Sequence, residues 1–299
     1  MAVLAGINST QINDTILASG IAKFVVPTPM ASPLYEVLAM VFDNKDNHSN
    51  VVDIPAWDAF PAVAETAEGD ESANVNYSTS KKSMTGVMLD TSALITDQVV
   101  MDSMVLESQM VGQMVLNLRN TIDSEFLELF KTATNVTDKT GVNLTLAFWR
   151  AALAAFRAQK PIGTAVYVGS PNQLRDILDD MANVAGGNQL GAAGQTIFSS
   201  SVIDGYRGPY QGVQIFESSN VASNDADNDV GGFTTVVSSG PGAPPSLSGL
   251  GLGIWQPIQA EGQRLPKRHG IETTVSARVG FVRTAEYLVR GLISKKAAA

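Results

Sequence analysis

The chain has 299 residues and no cysteine, so it can form a sizeable core but neither a disulfide nor a thiolate metal site. Its net charge of -9 argues against a dedicated nucleic-acid binder, which normally presents a basic face. Only 16% of its residues are charged, against about a quarter in typical soluble domains, which favours burial of surface against partners. Since no apolar run approaches the roughly 20 residues of a membrane span and a basic secretory start is absent, we expect a soluble cytosolic product.

The first 50 residues predict an extended arm with a short helix near residues 14–24. Pro27, Pro29 and Pro33 follow, and three prolines in seven residues favour extended backbone. Residues 34–42 are apolar and predict a strand or a short helix.

Residues 51–95 predict a long two-stranded hairpin. A strand at 51–54 precedes a small acidic tip, 62–76, and residues 78–93 return as extended chain with intermittent apolar positions. Because an isolated hairpin is marginal in water, we expect this one to lie on a neighbouring subunit. The candidate inter-subunit contact residues are the charged residues of the tip and of the returning strand: Glu65, Glu68, Asp70, Glu71, Lys81 and Lys82.

A long helix is predicted over residues 96–131. Thr96 has the character of an N-cap, and Asp97 and Gln98 suit the first turn. Apolar residues recur at helical spacing apart from one seven-residue step, and no proline interrupts the segment; they are Val100, Met104, Val111, Val115, Leu118, Ile122, Phe126 and Leu129. The helix would be roughly 50 Å long, with Gly112 as a position where it can bend.

The rest of the chain predicts a mixture of helices and strands. A polar loop at 132–141 leads to a helix at 144–159 capped by Asn143, a strand at 164–168 and a helix from Pro171 to about 183. A glycine-rich loop at 186–194 follows. Further strands are predicted at 210–217, 233–238, 271–282 and 286–293, with a polar loop between the first two. The pattern favours an α+β or α/β module and a second, elongated module containing the long helix.

This order of elements resembles the tailed-phage major capsid proteins of the Hong Kong 97 type. The resemblance lies in the tip beginning at Pro61, the Leu94-Ile-Thr-Asp97 entry into the helix, Tyr167-Val-Gly-Ser-Pro171, Gly212-Val-Gln-Ile-Phe-Glu-Ser-Ser-Asn220 and Arg278-Val-Gly-Phe-Val-Arg283. Each motif is loose alone, whereas their order and spacing cover nearly the whole chain.

The resemblance implies an α+β fold of the Hong Kong 97 type, with an N-terminal arm, an extended hairpin loop, a long spine helix, a peripheral domain and an axial domain. It assigns the arm to 1–50, the hairpin to 51–95, the peripheral domain to 96–140 and 268–299, and the axial domain to 141–267. Copies are expected to form hexamers and pentamers that close an icosahedral shell around the phage genome.

The resemblance also implies partners. We expect a separate scaffolding protein, because the arm is too short for the fused scaffolding segment of larger family members. A portal and decoration proteins are further expected partners, packaged DNA is contacted only non-specifically, and no membrane is involved. The product is a virion capsid assembled in the bacterial host cytoplasm. Some members cross-link a loop lysine to a neighbour's asparagine, but exposed lysines such as Lys81 and Lys82 more often protect a strand edge.

No pattern in the sequence indicates catalysis, a cofactor or a metal. His48 and His269 are far apart, and the zinc-protease, P-loop, dinucleotide and nucleophile-elbow motifs are missing. Asp225, Asp227 and Asp229 imitate the start of a calcium loop, but Val230 and Val236 occupy positions that need Gly and Glu, so a solvated loop is expected.

Three alternatives to a phage capsid protein stay open. A cellular nanocompartment (encapsulin-like) shell protein would share the fold and enclose an enzyme instead of DNA. An α/β enzyme of unknown substrate would form a small discrete species with a polar cleft. An adhesin or tail protein would be expected to show internal repeats, which the sequence lacks.

Overall fold

The computed structural model describes residues 33–46, 49–57, 79–98, 107–184, 206–225, 228–238 and 245–295. The predicted arm helix at 14–24 and the loop at 186–194 lie outside these residues. The described helices are α1 (Tyr35–Leu38), α2 (Glu107–Leu127), α3 (Leu146–Arg157) and α4 (Pro171–Val184). No described helix is long and apolar enough to cross a membrane.

The described strands number from β1 to β14 in chain order. They are β1 (Met40–Asp43), β2 (Val51–Trp57), β3 (Thr79–Thr85), β4 (Val87–Thr96), β5 (Val136–Lys139), β6 (Thr164–Gly169), β7 (Tyr206–Tyr210), β8 (Val213–Glu217), β9 (Ala222–Asp225), β10 (Asn228–Ser238), β11 (Pro245–Ser248), β12 (Leu250–Leu265), β13 (Gly270–Arg283) and β14 (Val289–Lys295). Short 3₁₀ turns occur at Glu128–Phe130, Pro266–Arg268 and Glu286–Leu288.

An eight-stranded mixed sheet forms one half of the molecule, with the order β5-β14-β10-β6-β8-β7 and with β9 and β11 also paired to β10. Alternation along β6 directs Tyr167 towards α3 and α4, and Val166 and Val168 towards the opposite face. On the first face Tyr167 and Phe233 pack with ring centroids 4.9 Å apart, and Trp149 meets Tyr167 edge-on at 5.8 Å. This aromatic cluster holds both helices against the sheet.

A four-stranded sheet with the order β1-β12-β13-β4 forms the other half. The helix α2 lies on it because Leu118, Ile122 and Phe126 recur at the helical period and are buried in one cluster with Val275 and Ala277 of β13. That cluster also contains Val166, Val168 and Phe216 of the larger sheet, so one core joins the two sheets. The strands β2 and β3 form a separate two-stranded hairpin.

Asp123 of α2 fixes α1 to the long helix. Its carboxylate is buried and accepts hydrogen bonds from the amides of Leu34 at 2.7 Å and Tyr35 at 3.0 Å, and from the side chain of Asn220 at 3.0 Å. Burial raises the pKa of Asp123, while these three hydrogen bonds act in the opposite direction.

Several predicted elements are confirmed. Residues 34–42 contain both a short helix, α1, and a strand, β1, and β13 spans the predicted strand at 271–282. Pro171 begins α4, as predicted. Within the predicted long helix, Glu107–Leu127 is helical, and Asp97 and Gln98 are helical directly after β4. Residues 99–106 lie outside the described part, so capping by Thr96, the last residue of β4, stays a prediction.

Other boundaries were wrong. The predicted polar loop at 132–141 contains β5, which pairs with β14. The helix predicted from 144 begins at Leu146, and its cap is Thr145 instead of Asn143, because the Thr145 hydroxyl accepts the Phe148 amide at 3.2 Å. The helix ends at Arg157, before Lys160 takes a positive φ of 53°.

The C-terminal half holds more strand than predicted. The single strand predicted at 210–217 is a hairpin, β7–β8, because Gln211 and Gly212 have φ values of 50° and 75°, which is typical of a tight reversing turn. The strand predicted from 233 begins at Asn228 as β10. The strand β12 was not predicted, because its first residues lie at the end of a Gly-, Pro- and Ser-rich segment. In the last predicted strand, 286–293, a 3₁₀ turn precedes β14.

The sheets combine segments that the predicted domain boundaries separate. The strands β5 and β14 belong to the predicted peripheral segments, yet they pair within the eight-stranded sheet. The strand β12 belongs to the predicted axial segment, yet it pairs with β13 along almost its whole length.

Candidate assembly surfaces

The base of the hairpin carries one of the two predicted lysine contacts, Lys81. Its ammonium group lies 2.8 Å from the carboxylate of Asp53 on the opposite strand, and Ser83 donates a hydrogen bond to the same carboxylate at 2.6 Å. Hydrogen bonds from Lys81 and then Ser83 hold the pKa of Asp53 below its ordinary value, and Asp53 raises the pKa of Lys81. Both side chains are exposed, so this pair contributes little stability but keeps Lys81 on the hairpin surface.

Lys82, the second predicted lysine contact, joins the hairpin to the body. Its ammonium group lies 3.3 Å from Glu286, which also accepts two 3.1 Å hydrogen bonds from Nε of Arg283 and one from the Thr134 amide at 3.3 Å. Partial burial acts to raise the pKa of Glu286, but its hydrogen bonds to Arg283, Thr134 and Lys82 lower it below the ordinary value. We name Lys82, Thr134, Arg283 and Glu286 the Glu286 cluster.

An apolar anchor lies beside this cluster at the base of the hairpin. Met84, Trp255 and Val282 are buried together, with Val52 and Ile54 of the hairpin packed against them. The Trp255 indole N–H donates to the Ser49 carbonyl at 2.9 Å. Three glycines, Gly86, Gly253 and Gly280, leave room for this packing, since a Cβ on any of them would meet Trp255 at 2.8–2.9 Å.

The anchor corrects one expectation about the hairpin. A neighbouring subunit was expected to support the hairpin, yet its base packs on Trp255 and Val282 of the same chain, and support of the tip by a neighbour stays a prediction. The contact joins residues more than 170 positions apart, so no local pattern reveals it. Four of the predicted contact residues lie outside the described residues: Glu65, Glu68, Asp70 and Glu71. The other two, Lys81 and Lys82, form ion pairs with Asp53 and Glu286 of the same chain.

A second surface is the far end of the β12–β13 hairpin. Residues 264–269, which we name the basic turn, contain Arg264, Lys267 and Arg268 and no acidic residue. Arg264 pairs with Asp97 at 2.9 Å, whereas Lys267 and Arg268 lie exposed in the 3₁₀ turn and form no ion pair with any described residue. The turn closes through His269, whose φ is 45°.

Exposed apolar side chains lie where the β2–β3 hairpin joins β4. Val51, Val87 and Met88 are 42%, 52% and 50% exposed, although they lie in or beside a sheet. Ile162, 61% exposed, and Val142, 52% exposed, lie in loops flanking α3. Such side chains on a sheet surface are suited to contacts between subunits.

A buried polar network fixes the start of α4. The Ser170 hydroxyl accepts the Gln173 amide at 3.1 Å, while Gln173 Oε1 accepts the Ser170 amide at 3.3 Å, so the two residues form a reciprocal capping box. Ser170 also donates to Asp229 at 2.6 Å, and Gln173 donates to Ser294 at 2.9 Å. Burial, followed by the charge of Asp229, raises the pKa of the Tyr167 hydroxyl, which donates to Gln173. The Ser-x-x-Gln spacing is visible in the sequence and was missed.

The prediction that Asp229 lies in a solvated loop was wrong. Asp229 is buried in β10 and bound to Ser170, because β10 pairs with β6 and Ser170 directly follows β6. Asp225 belongs to β9, and Asp227 lies outside the described residues. Among the residues that the structure describes, no group of three or more His, Asp or Glu side chains could hold a metal ion.

Comparisons with known proteins agree with this architecture. The structure resembles that of Mycobacterium phage Che8, with a TM-score of 0.66 and 13% sequence identity, covering 90% of this chain and 94% of that chain. It resembles the head structure of Helicobacter pylori bacteriophage KHP40 with a TM-score of 0.65 and 10% identity, covering 99% of this chain and 98% of that chain. It also resembles the capsid of Myoviridae phage XM1, with a TM-score of 0.62 and 11% identity, covering 93% of this chain and 98% of that chain. No curated protein matches the sequence.

The subunit is an α+β protein with the Hong Kong 97 type capsid fold. Three features define it: the long helix on a four-stranded sheet, the two-stranded hairpin, and the second, larger sheet. The family described as phage capsid protein matches residues 92–289, about two thirds of the sequence. The chain belongs to the phage capsid protein family. It is therefore a structural subunit that assembles with copies of itself into the capsid of a virion.

Proposed function

We propose that this protein is the major capsid protein of a tailed phage and that its copies form hexamers and pentamers closing an icosahedral shell around the genome. The observation that carries the proposal is the family match over residues 92–289. The comparisons do not favour a nanocompartment shell or an α/β enzyme. Many weak subunit contacts add up in a closed shell, so no single interface needs to be strong. In this role the chain needs no catalytic site and no cofactor.

We assign the domains by sheet membership. The resemblance implies an arm at 1–50 and an extended hairpin at 51–95, but β1 and β4 lie in the four-stranded sheet, so we assign these two strands to the peripheral domain. The peripheral domain is built from α2 and the four-stranded sheet, and therefore includes β12 and β13. The axial domain is built from the eight-stranded sheet with α3 and α4, and therefore includes β5 and β14. Strand pairing supports this division because paired strands move together.

The assembly contacts that we propose lie on the hairpin. Lys81 projects from its exposed surface, and Glu65, Glu68, Asp70 and Glu71 give the tip a negative charge. Lys82 stays a proposed contact, and its ion pair with Glu286 also holds the hairpin base on the body of the same subunit.

We further propose a separate scaffolding protein, a portal and decoration proteins as partners, with assembly in the bacterial host cytoplasm. The net charge of -9 supports only loose, non-specific contact with packaged DNA, since like charges repel.

Electron microscopy and gradient sedimentation of the full-length chain, expressed with and without its phage's other head proteins, test the function. We expect closed particles in the megadalton range, and particles from native virions should contain DNA. A small discrete species under both conditions contradicts the shell, and native particles filled with an enzyme identify a nanocompartment instead. Particles that form only with a second head protein present support the separate scaffolding protein.

A further inference from the structure

The outer face of α3 is basic in a chain that is acidic overall. Residues 139–170 contain four basic residues and no acidic one, although the whole chain has a net charge of -9. Arg150 and Arg157 are exposed and lie seven positions apart, on the same side of the helix, and the exposed Lys160 follows just after the helix ends. We name these three residues the α3 basic face.

Two hydrogen bonds hold the arginines of the α3 basic face in place. A terminal nitrogen of Arg150 donates to Tyr210 Oη at 2.7 Å, and one of Arg157 donates to the Gln211 carbonyl oxygen, so both contact the β7–β8 hairpin. Neither acceptor is a carboxylate, and among the described residues Arg150, Arg157 and Lys160 form no ion pair. A guanidinium group has five N–H donors, so each arginine keeps most of them for a partner.

The surface between these cations consists of small side chains. Ala151, Ala154 and Ala158 are exposed on the same side of α3. Interfaces between proteins are centred on large aromatic or aliphatic anchors, and the described residues place none between the two arginines, since the exposed Ile162 lies beyond Lys160. The alanines leave the guanidinium groups open to close approach, so this face fits a partner that is recognised by its charge.

The phosphate backbone of a nucleic-acid duplex has the chemistry that this face fits. Guanidinium groups bind phosphate oxygens bidentately. At 1.5 Å per residue the two arginines lie about 10 Å apart along α3, and a duplex carries a phosphate charge for about every 1.7 Å of its axis, so each cation meets a phosphate in any register. Backbone contacts of this kind do not depend on base sequence, which suits a shell that encloses a whole genome.

We propose that the α3 basic face is the surface through which each subunit binds the phosphate backbone of the enclosed nucleic acid. This inference rests on the proposed shell function and deepens it, because it turns α3 and the β7–β8 hairpin towards the interior of the shell. The acidic remainder of the chain repels nucleic acid, so the contact is confined to this face. Each contact is weak, and many copies add up along one duplex.

Duplex binding by the unassembled full-length chain tests the charge of this face. Arg150→Gln/Arg157→Gln should weaken binding of a fluorescent DNA duplex of about 30 base pairs about tenfold at low salt, and should reduce the slope of log affinity against log salt by about 2. The control Lys267→Gln/Arg268→Gln removes the same charge from the basic turn and should change the affinity by about twofold or less. Equal losses in the two variants, or an unsubstituted chain that does not bind the duplex, overturn the proposal.

A variant that preserves the charge separates binding from structure. Arg150→Lys/Arg157→Lys should keep the duplex affinity within about threefold of the unsubstituted chain, because the phosphate contacts are mainly electrostatic. A loss as large as that of the glutamine variant means that the arginines only fix the β7–β8 hairpin, and this overturns the proposal. So does a glutamine variant that keeps its duplex affinity but no longer sediments with an acidic head protein, since the face then binds protein.

Photo-cross-linking in DNA-filled particles tests where the face lies. The chain has no cysteine, so Ala154→Cys places a single thiol between the two arginines, and Gln263→Cys places one on an exposed position beside the basic turn. With a thiol-reactive aryl azide attached, Ala154→Cys should cross-link to DNA at about ten times the yield of Gln263→Cys. If particles form and the two yields are equal, this inference fails while the shell function stands. If the unsubstituted chain forms no particles, the shell function itself fails.

Discussion

Asp123 is a buried carboxylate whose partners come from two separate segments of the chain. It accepts hydrogen bonds from the two amides at the start of α1, which are buried, and from the side chain of Asn220, which is partly buried. The carboxylate is the acceptor for two buried backbone amides, those of Leu34 and Tyr35. Its contribution to stability therefore depends on the number of donors left unpaired when it is removed.

Asp123→Ala should lower the free energy of unfolding by about 3 kcal/mol, because it leaves two buried amides without an acceptor. Asp123→Asn is the matched control: it keeps one oxygen for the Leu34 and Tyr35 amides and should cost about 1 kcal/mol. Urea unfolding of unassembled subunits measures both. Equal losses for the two variants contradict the role of the amide hydrogen bonds.

Glu286 makes stability depend on pH. Its pKa is lowered in the folded chain, so the folded state binds fewer protons than the unfolded state near the ordinary Glu value of 4.5. Its contribution is therefore fully present above that value and is lost as the pH falls through the lowered pKa.

Glu286→Gln should accordingly reduce stability at pH 7 by about 1 kcal/mol or less, since the group is partly exposed, and by much less at pH 3. Other carboxylates titrate in both proteins and cancel in the difference between them. Urea midpoints at the two pH values provide the measurement. A difference between the two proteins that stays constant or grows towards pH 3 contradicts the assignment.

At the scale of elements, glycine is required where β10 approaches the start of α4, but not at the exposed position within α2. A Cβ at Gly231 of β10 would lie 2.5 Å from the Val168 carbonyl oxygen and closer still to Gln173 Oε1, so the capping box needs glycine there. Gly112 of α2 has nothing within 4 Å of the same added atom and is exposed. The same substitution therefore has opposite expected effects in the two elements.

Gly231→Ala should destabilise the subunit by about 2–3 kcal/mol through overpacking, whereas Gly112→Ala should stabilise it by about 0.5–1 kcal/mol by reducing the entropy of the unfolded chain. Denaturant midpoints of the two variants give the comparison, and each serves as the control for the other. Destabilisation by Gly112→Ala means that α2 needs a bend at this position. A neutral Gly231→Ala means that the capping box can shift.

At the scale of the whole molecule, the hairpin is supported at its base and extends beyond it. The anchor around Trp255 and the Glu286 cluster both lie at that base, so the subunit core does not depend on the acidic tip. Folding and assembly should therefore separate when the tip is removed.

Deletion of residues 62–76 should leave the unfolding free energy of the unassembled subunit nearly unchanged and strongly reduce particle formation. Circular dichroism, urea unfolding and gradient sedimentation give the three readouts. A full-length variant with Glu65→Gln, Glu68→Gln, Asp70→Asn and Glu71→Gln separates the charge of the tip from its length. An unfolded deletion variant, or one that forms normal shells, contradicts this account.

Local sequence determined the elements whose residues carry their own signals. The apolar period of α2 is confirmed over its described span, Pro171 begins α4 as predicted, and the alternation of β13 located a long strand correctly. The capping box at Ser170 also lies within four residues and was available from the sequence. These features depend on neighbours a few positions apart, so a single window of sequence contains their cause.

Only the tertiary structure decided the features formed by distant residues. The start of β12 follows a Gly-, Pro- and Ser-rich stretch and contains two glycines. Gly251 and Gly253 nevertheless form strand, and Phe42, Met84 and Trp255 pack where their side chains would otherwise be. The membership of β5 and β14 in one sheet, and the contact of Lys82 with Glu286, join segments that are remote in the chain. Burial and strand pairing set these contacts, and both depend on the whole fold.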